Sequence, residues 1–185
     1  MPRQVVLLRG INLGSSNRLP MPALRDALSG AGFANVRTYV QSGNIVLETA
    51  LGETELADAV GRLIAERFDL EIPVVALGAD ELAQVVAANP LRDLAESDPK
   101  RFQVTFLRGE APADLEHTLG QVAAPTERVA VRAHGVYCWH PDGVARSKLW
   151  AKLGTKHGLG KGVTATSRNW TTVTTLLEMA AGDGD

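Results

Sequence analysis

Two polar segments in the first quarter of the chain combine side-chain types that bind anions. They supply guanidinium, amide and hydroxyl groups from Arg9, Asn12, Asn17, Arg18, Gln41, Ser42 and Asn44. Guanidinium groups and glycine-flanked backbone N–H groups suit a phosphate. Neither segment contains Asp or Glu, which argues against acid–base catalysis by these residues alone. The pattern predicts an anion-binding patch; the alternative is that Asn and Ser cap turns and satisfy loop backbone.

Basic side chains recur in residues 141–170, which carry six basic groups against one acid. Lys148, Lys152 and Lys156 are spaced by four and form one stripe on a predicted helix. Lys161 follows in a glycine-rich loop that lacks the Walker spacing. Such a stripe fits contact with a nucleic-acid backbone, and equally a solvated helix face. Lys148 and Lys161 join the candidate ligand-binding residues.

The segment that precedes the predicted last helix supplies the final candidates, Ser167, Arg168 and Asn169. Ser167 or Thr166 is predicted to cap this helix, whose N-terminal N–H groups attract anions. Trp170 has two interpretations: it stacks on a planar ligand, or it packs in the core with the apolar residues that recur along the helix. The spacing favours the core.

Other catalytic patterns are weak. The four histidines are scattered without metal-ligand spacing, and we predict no metal site and no cofactor. Cys138 lies in an apolar strand pattern, which predicts a packed thiol rather than a nucleophile. Ser42 is not in a Gly-x-Ser-x-Gly elbow, so a hydrolase serine is unsupported. Whether the chain is an enzyme stays open at this level.

Length and composition indicate a globular protein. The chain has 185 residues, 45% hydrophobic and 22% charged, which suits one domain or two small halves. A single cysteine and an N-terminus without a secretory pattern predict a cytoplasmic location, and no apolar run is long enough for a membrane helix. Residues 1–47 carry five arginines against Asp26, whereas residues 48–98 carry three basic groups against twelve acids. Such opposed blocks allow one face to attract anions.

The hydrophobic pattern predicts an α+β fold. Short apolar runs and helical periodicities give β-α-β-β-α-β over residues 1–78, which is the ferredoxin-like order. The order recurs in residues 79–185 after a connecting helix, and a C-terminal helix follows. We therefore predict two ferredoxin-like halves, a degenerate duplication. The strands that carry Leu7 and Val104 should both be central and buried, followed by equivalent Arg-Gly loops.

This topology places the candidate residues. In a ferredoxin-like unit the first and second strands run parallel, so the loops that follow them emerge at the same end of the sheet. We expect Arg9, Asn12 and Asn44 to share one cluster there. Arg168 would approach it if the two halves pack with their motif ends together.

The polar segments also resemble a known family. They occur in the stretches Leu7-Leu8-Arg9-Gly10-Ile11-Asn12, Asn17-Arg18-Leu19-Pro20-Met21, Thr38-Tyr39-Val40-Gln41-Ser42-Gly43-Asn44 and Ala165-Thr166-Ser167-Arg168-Asn169-Trp170-Thr171-Thr172-Val173. Together they resemble the signature of the uncharacterised bacterial domain-of-unknown-function family 1697. The resemblance implies an α+β fold with ferredoxin-like halves and no established activity, substrate or cofactor. Thr171 and Thr175 depart from the family pattern, which implies Asn and Lys there.

Three functions fit these observations. The leading hypothesis is a binder of a phosphate-bearing ligand, either a nucleotide or nucleic acid, with no membrane partner. The second is an enzyme that acts on a phosphorylated small molecule with carboxylates from the other half. The third is a protein-interaction or dimerisation module, which a flat apolar patch on the motif loops would favour.

Overall fold

The computed structural model describes residues 1–155 and 158–182, which form two compact units. The first unit is Met1–Leu82 together with the C-terminal segment from Leu176, and the second is Ala83–Thr175. The C-terminal helix is therefore divided between the two units along its length.

The first unit is a four-stranded sheet with two helices. Its elements are β1 (Arg3–Leu8), α1 (Met21–Gly30), β2 (Ala34–Tyr39), β3 (Asn44–Glu48), α2 (Glu53–Phe68) and β4 (Val74–Gly78). The strand order is β2-β3-β1-β4. Both β1 and β2 pair antiparallel with β3, so they run parallel to each other. This is the predicted ferredoxin-like topology.

One face of this sheet packs under the two helices. Val6 and Leu8 of β1, with Ile45 of β3, share a core with the apolar stripes of α1 and α2. Proline stands in the first turn of α1, where its missing N–H costs nothing. The strands are thereby fixed, and the loops after β1 and β2 leave from one end of the sheet.

The second unit repeats this arrangement after two short helices. Its elements are α3 (Ala79–Ala87, which begins in the first unit), α4 (Arg92–Ser97), β5 (Phe102–Arg108), α5 (Leu115–Gly120), β6 (Arg128–Arg132), β7 (Gly135–Trp139), α6 (Lys148–Gly154), β8 (Thr164–Asn169) and α7 (Trp170–Ala181). The strand order β6-β7-β5-β8 matches that of the first sheet. The sequence pattern predicted α3 as the connecting helix and missed α4.

The two predicted central strands are confirmed. β1 lies between β3 and β4, and β5 lies between β7 and β8. Leu7 and Val104 are fully buried. The α+β fold with two ferredoxin-like halves is thus established by both sheets independently.

The end of the last strand differs from the sequence expectation. β8 extends to Asn169, so Ser167 lies within the sheet and pairs with Thr105 rather than capping a helix. The cap of α7 is Asn169, whose Oδ1 accepts a hydrogen bond from the backbone N–H of Thr172 at 2.9 Å. The sequence Thr-Ser-Arg-Asn is compatible both with a strand and with the cap of a helix. Its pairing with β5 makes it a strand as far as Asn169.

Two arginines hold the C-terminal end of α7 within the first unit. Arg3 donates to the carbonyl oxygen of Ala180, and Arg37 to that of Met179. The last carbonyls of a helix have no partner within the helix, and a cation there also suits the helix dipole. Among residues 1–155 and 158–182, no helix has the length and hydrophobicity that a membrane span requires.

Candidate functional site

The two polar segments of the first unit meet at the end of the sheet. We call them the motif face, defined as residues 9–20, which connect β1 to α1, and residues 40–44, which connect β2 to β3 and begin β3. Their contact is direct, because Asn12 donates from Nδ2 to the carbonyl oxygen of Gln41 at 2.7 Å. The two loops therefore emerge together, as the parallel course of β1 and β2 predicts.

The longer loop is a small hairpin with a tight tip. The backbone N–H of Asn12 donates to the carbonyl oxygen of Asn17 at 3.0 Å, and that of Ser16 to Leu13 at 3.3 Å. Asn12 and Asn17 adopt left-handed backbone with φ of 52° and 48°. Asparagine tolerates this conformation better than other residues with a side chain. The residue type at both positions thus has a conformational reason.

Asn12 fixes this hairpin in place. Besides its bond to Gln41, its Nδ2 donates to the carbonyl oxygen of Leu19 at 3.0 Å, and its Oδ1 accepts from the N–H of Leu19 at 2.8 Å. Both amide hydrogens and the amide oxygen are engaged. Asn12 acts as a clamp between the loops, as the capping alternative proposed.

The other asparagines of the motif face also contact the chain itself. Asn44 is fully buried, and its Nδ2 donates to the carbonyl oxygen of Tyr39 at 3.1 Å and to Oγ of Ser42 at 2.9 Å. Asn17 donates from Nδ2 to the carbonyl oxygen of Gly10 at 3.1 Å. These amides position the loops.

Gly43 allows the second loop to lie against β1. Its φ is +78°, and a β-carbon there would stand 2.6 Å from Cβ of Leu8. The carbonyl oxygen of Gly43 accepts from the N–H of Leu8 at 2.9 Å. Only glycine meets both the conformation and the space.

The charged groups of the motif face are two arginines. Arg9 is half-buried, and its backbone N–H donates to the carbonyl oxygen of Pro73 at 3.0 Å. Arg18 is exposed, and its side chain makes no hydrogen bond or ion pair with the described part of the chain. Gln41 is exposed beside the clamp. Arg18 is thus the charged group of the motif face that is most open to a ligand.

The motif face also exposes two aliphatic side chains that the sequence reasoning missed. Leu13, next to Asn12, is 69% exposed, and Val40, next to Gln41, is 52% exposed. Val40 has φ of +49°, a conformation that costs a residue with a side chain about 1–3 kcal/mol. The signal in the sequence was the presence of apolar residues within polar segments, but residue type alone does not show whether a side chain is buried or exposed.

The C-terminal candidates lie in the second unit. Arg168 is 8% exposed, and its Nη1 donates to Oγ1 of Thr166 at 2.7 Å and to the carbonyl oxygen of Ser167 at 2.8 Å. Burial lowers the pKa of the Arg168 guanidinium to about 10. Oγ of Ser167 lies 2.7 Å from Oγ1 of Thr105. Ser167 and Arg168 thus have partners within their own sheet.

The lysine candidates are spread along the second unit. Lys148 is exposed at the start of α6, Lys152 is half-buried, and Lys161 is exposed in the loop before β8. Lys156 and His157 lie outside the described residues. Trp170 is buried and meets Phe102 edge-to-face at 5.7 Å, which is the core position that its spacing favoured.

A buried ionisable pair in the second unit also escaped the sequence analysis. His140 is fully buried, and its Nδ1 lies 2.7 Å from Oε1 of Glu127. Oγ of Ser147 lies 3.4 Å from the same nitrogen, and Nε2 has no partner within the described residues. In a catalytic triad the carboxylate and the serine bond to different ring nitrogens of the histidine, whereas Glu127 and Ser147 both approach Nδ1. The geometry therefore does not form a catalytic triad.

The electrostatics of this pair favour an ionised carboxylate. Burial raises the pKa of Glu127, but hydrogen bonds from Ser147, the backbone of Ala124 and His140 outweigh it and hold the pKa below its ordinary value. Glu127 and Ser147 line a cleft of about 410 Å³. Because Ser147 also caps α6, the cluster ties the start of β6, the end of β7 and α6 together.

The single cysteine belongs to the core of the same unit. Cys138 is fully buried on β7 and free of any disulfide. Burial raises the pKa of its thiol. The structure thus agrees with a packed strand position. No group of three His, Cys, Asp or Glu side chains suited to a metal occurs within residues 1–155 and 158–182.

Comparisons with known proteins agree with this fold. A family model described as "Protein of unknown function (DUF1697)" matches residues 1–137, which include the whole motif face. The chain is also similar to a solved structure described as conserved bacterial protein SP0830 from Streptococcus pneumoniae, with a TM-score of 0.77 and 19% sequence identity. That similarity covers 97% of this chain and 98% of the other, and at this identity it shows the fold alone. No curated protein matches.

Proposed function

Since this chain belongs to the DUF1697 family, whose description assigns no activity, we propose a function from its own geometry: it binds a phosphate-bearing ligand, a nucleotide or nucleic acid, on the motif face. One observation carries the proposal. Asn12 closes the loop that carries Arg9 and Arg18 through its bonds to Leu19, and it joins this loop to the second one through Gln41, before any ligand arrives. Because the backbone of this loop is ordered before binding, it loses little entropy when its arginines bind an anion.

The chemistry of the motif face supports binding over catalysis. Residues 9–20 and 40–44 contain no carboxylate, so an anion meets no like charge from the loops themselves. Proton transfer would need a group from elsewhere. The proposal includes a cytoplasmic location without a membrane partner, which the single buried cysteine supports.

The two arginines have different expected roles. Arg18 is exposed and makes no bond within the described chain, so its guanidinium is available to a ligand. Arg9 is half-buried, and its substitution affects the loop as well. A charge-assisted hydrogen bond contributes about 1.5–3 kcal/mol, which corresponds to a roughly 10–150-fold change in affinity.

The experiment is a thermal-shift and calorimetric titration with pyrophosphate, nucleoside triphosphates and a short oligonucleotide. We expect at least one of these anions to raise the Tm of the wild type. Arg18→Ala should weaken binding by roughly 10-fold or more at unchanged Tm of the free protein. Arg62→Ala is the matched control, because Arg62 is also exposed but lies on α2 away from the motif face.

Two results would contradict the proposal. One is that no phosphate compound stabilises the wild type at millimolar concentration. The other is that Arg18→Ala and Arg62→Ala weaken binding equally, which would indicate unspecific charge attraction.

A further inference from the structure

The motif face carries exposed apolar side chains as well as arginines. Leu13 follows Asn12 and Val40 precedes Gln41, and Asn12 and Gln41 are joined by a hydrogen bond. Both exposed residues therefore lie where the two loops meet. They are two of the three large hydrophobic residues that are exposed in the described structure; the third is the terminal Met1. Together, on two joined loops and beside polar groups, they offer apolar surface that a partner can cover.

The conformation of Val40 is held from both sides. Asn44 donates to the carbonyl oxygen of Tyr39, which precedes Val40, and Asn12 donates to the carbonyl oxygen of Gln41, which follows Val40. A β-branched residue at positive φ is a genuine outlier, and such strain persists where the surroundings enforce it. The two asparagines of the motif thus keep an apolar side chain in solvent on strained backbone.

The chemistry of this surface selects among phosphate-bearing ligands. Single-stranded nucleic acids are held by aromatic side chains that stack on bases, and residues 9–20 and 40–44 contain no aromatic residue. Leu13 and Val40 instead offer aliphatic contact of the kind that protein side chains make. Phosphorylated protein segments are recognised by arginines that bind the phosphate, together with apolar contacts to neighbouring residues.

We propose that the ligand of the motif face is a phosphorylated polypeptide segment, with its phosphate on Arg9 and Arg18 and an adjacent apolar side chain against Leu13 and Val40. This inference rests on the proposed binding of phosphate by the motif face, and it names a phosphorylated polypeptide as the ligand in place of a nucleotide or nucleic acid. Charge complementarity supports it, because residues 9–20 and 40–44 carry two arginines and no acidic residue. Asn12 and Asn44 are then positioning residues that never touch the ligand.

The test uses a degenerate peptide library with a fixed central phosphoserine, and matched libraries with serine or glutamate at that position. The intact chain should retain the phosphoserine library, with apolar residues selected next to the phosphoserine. The serine library should not be retained, and the glutamate library only weakly, since one carboxylate carries less charge. Retention of the glutamate library alone would overturn the proposal in favour of an ordinary acidic segment.

Variants then test the apolar contact with a selected peptide by fluorescence polarisation. Val40→Gly keeps the backbone, because glycine adopts positive φ freely, and removes the side chain. We expect it, like Leu13→Ser, to weaken binding by about tenfold. Val40→Ile keeps the apolar group and should bind as the wild type does. If Val40→Gly were to lose its fold, as circular dichroism would show, Leu13→Ser makes the same test at a position that is 69% exposed.

The outcomes separate this inference from the proposed function. If Leu13→Ser and Val40→Gly leave the affinity for the phosphopeptide unchanged, the inference is overturned, while the proposed phosphate binding by the motif face stays in place. Tighter binding to oligothymidylate, or to phosphatidylglycerol vesicles, would overturn it in favour of a nucleic acid or a lipid surface. If the wild type binds none of the phosphate-bearing probes, both the inference and the proposed function are overturned.

Discussion

Asn12→Ala tests whether the amide of Asn12 joins the two loops of the motif face. The substitution removes two hydrogen bonds to Leu19 and one to Gln41. Each contributes about 0.5–1.5 kcal/mol, and alanine at φ of +52° adds about 1–2 kcal/mol of strain. Because Asn12 is half-buried, water replaces part of what is lost, and we expect a loss of about 2–4 kcal/mol in the free energy of unfolding.

The assay is urea unfolding followed by circular dichroism and by tryptophan fluorescence. Trp139, Trp150 and Trp170 all lie in the second unit, so fluorescence reports that unit, whereas circular dichroism reports both. The midpoint by circular dichroism should fall at an unchanged m-value. Asn12→Gly should recover about 1 kcal/mol of the loss, because glycine relieves the dihedral strain alone. A loss below about 0.5 kcal/mol for Asn12→Ala would refute the clamp.

Three further predictions concern stability and reactivity. Gly43→Ala should cost about 2–4 kcal/mol, because strain at φ of +78° adds to a clash with β1; Gly14→Ala, at φ of +61° with nothing within 4 Å, should cost only about 1–2 kcal/mol, and equal shifts of the urea midpoint would contradict the packing argument. At pH values above 4.5, the ordinary pKa of glutamate, Glu127→Gln should lower the Tm. The difference in Tm from the wild type should narrow as the pH falls through the lowered pKa of the folded state, because the stabilisation by Glu127 requires its carboxylate. A difference in Tm that stays constant down to about pH 3 would refute this role of the carboxylate. Cys138 should resist thiol reagents in the native protein and react after denaturation, because it is buried and its thiol pKa is raised, and rapid native reaction would exclude this packing.

Much of the fold follows from local patterns in the sequence. Apolar β-branched runs and helical periodicities give the β-α-β-β-α-β order twice, because strand and helix periods depend on short stretches of chain. The parallel course of β1 and β2 follows from that order, and with it the meeting of the two polar loops. The core positions of Cys138 and Trp170 were also predictable, since their neighbours are apolar at regular spacing.

The partners of the polar side chains depended on the tertiary structure. An asparagine in a loop can meet a ligand or a backbone carbonyl, and the choice for Asn12 depends on Gln41, 29 residues further along the chain. The bond between Glu127 and His140 likewise joins residues that no spacing rule connects. Hydrogen bonding requires a precise approach of two atoms, which the residue types alone do not define.

The sequence by itself thus determined the elements, their order and the end of the sheet at which the motif residues gather, because hydrophobic burial and period act locally along the chain. Only the tertiary structure decided which of those residues hold the loops and which face solvent. It assigned Asn12 and Asn44 to the loops, left Arg18 exposed, and placed Val40 in solvent on left-handed backbone. The physical reason is that exposure and hydrogen-bond partners arise between segments that are distant in sequence, after both loops have been brought to one edge of the sheet.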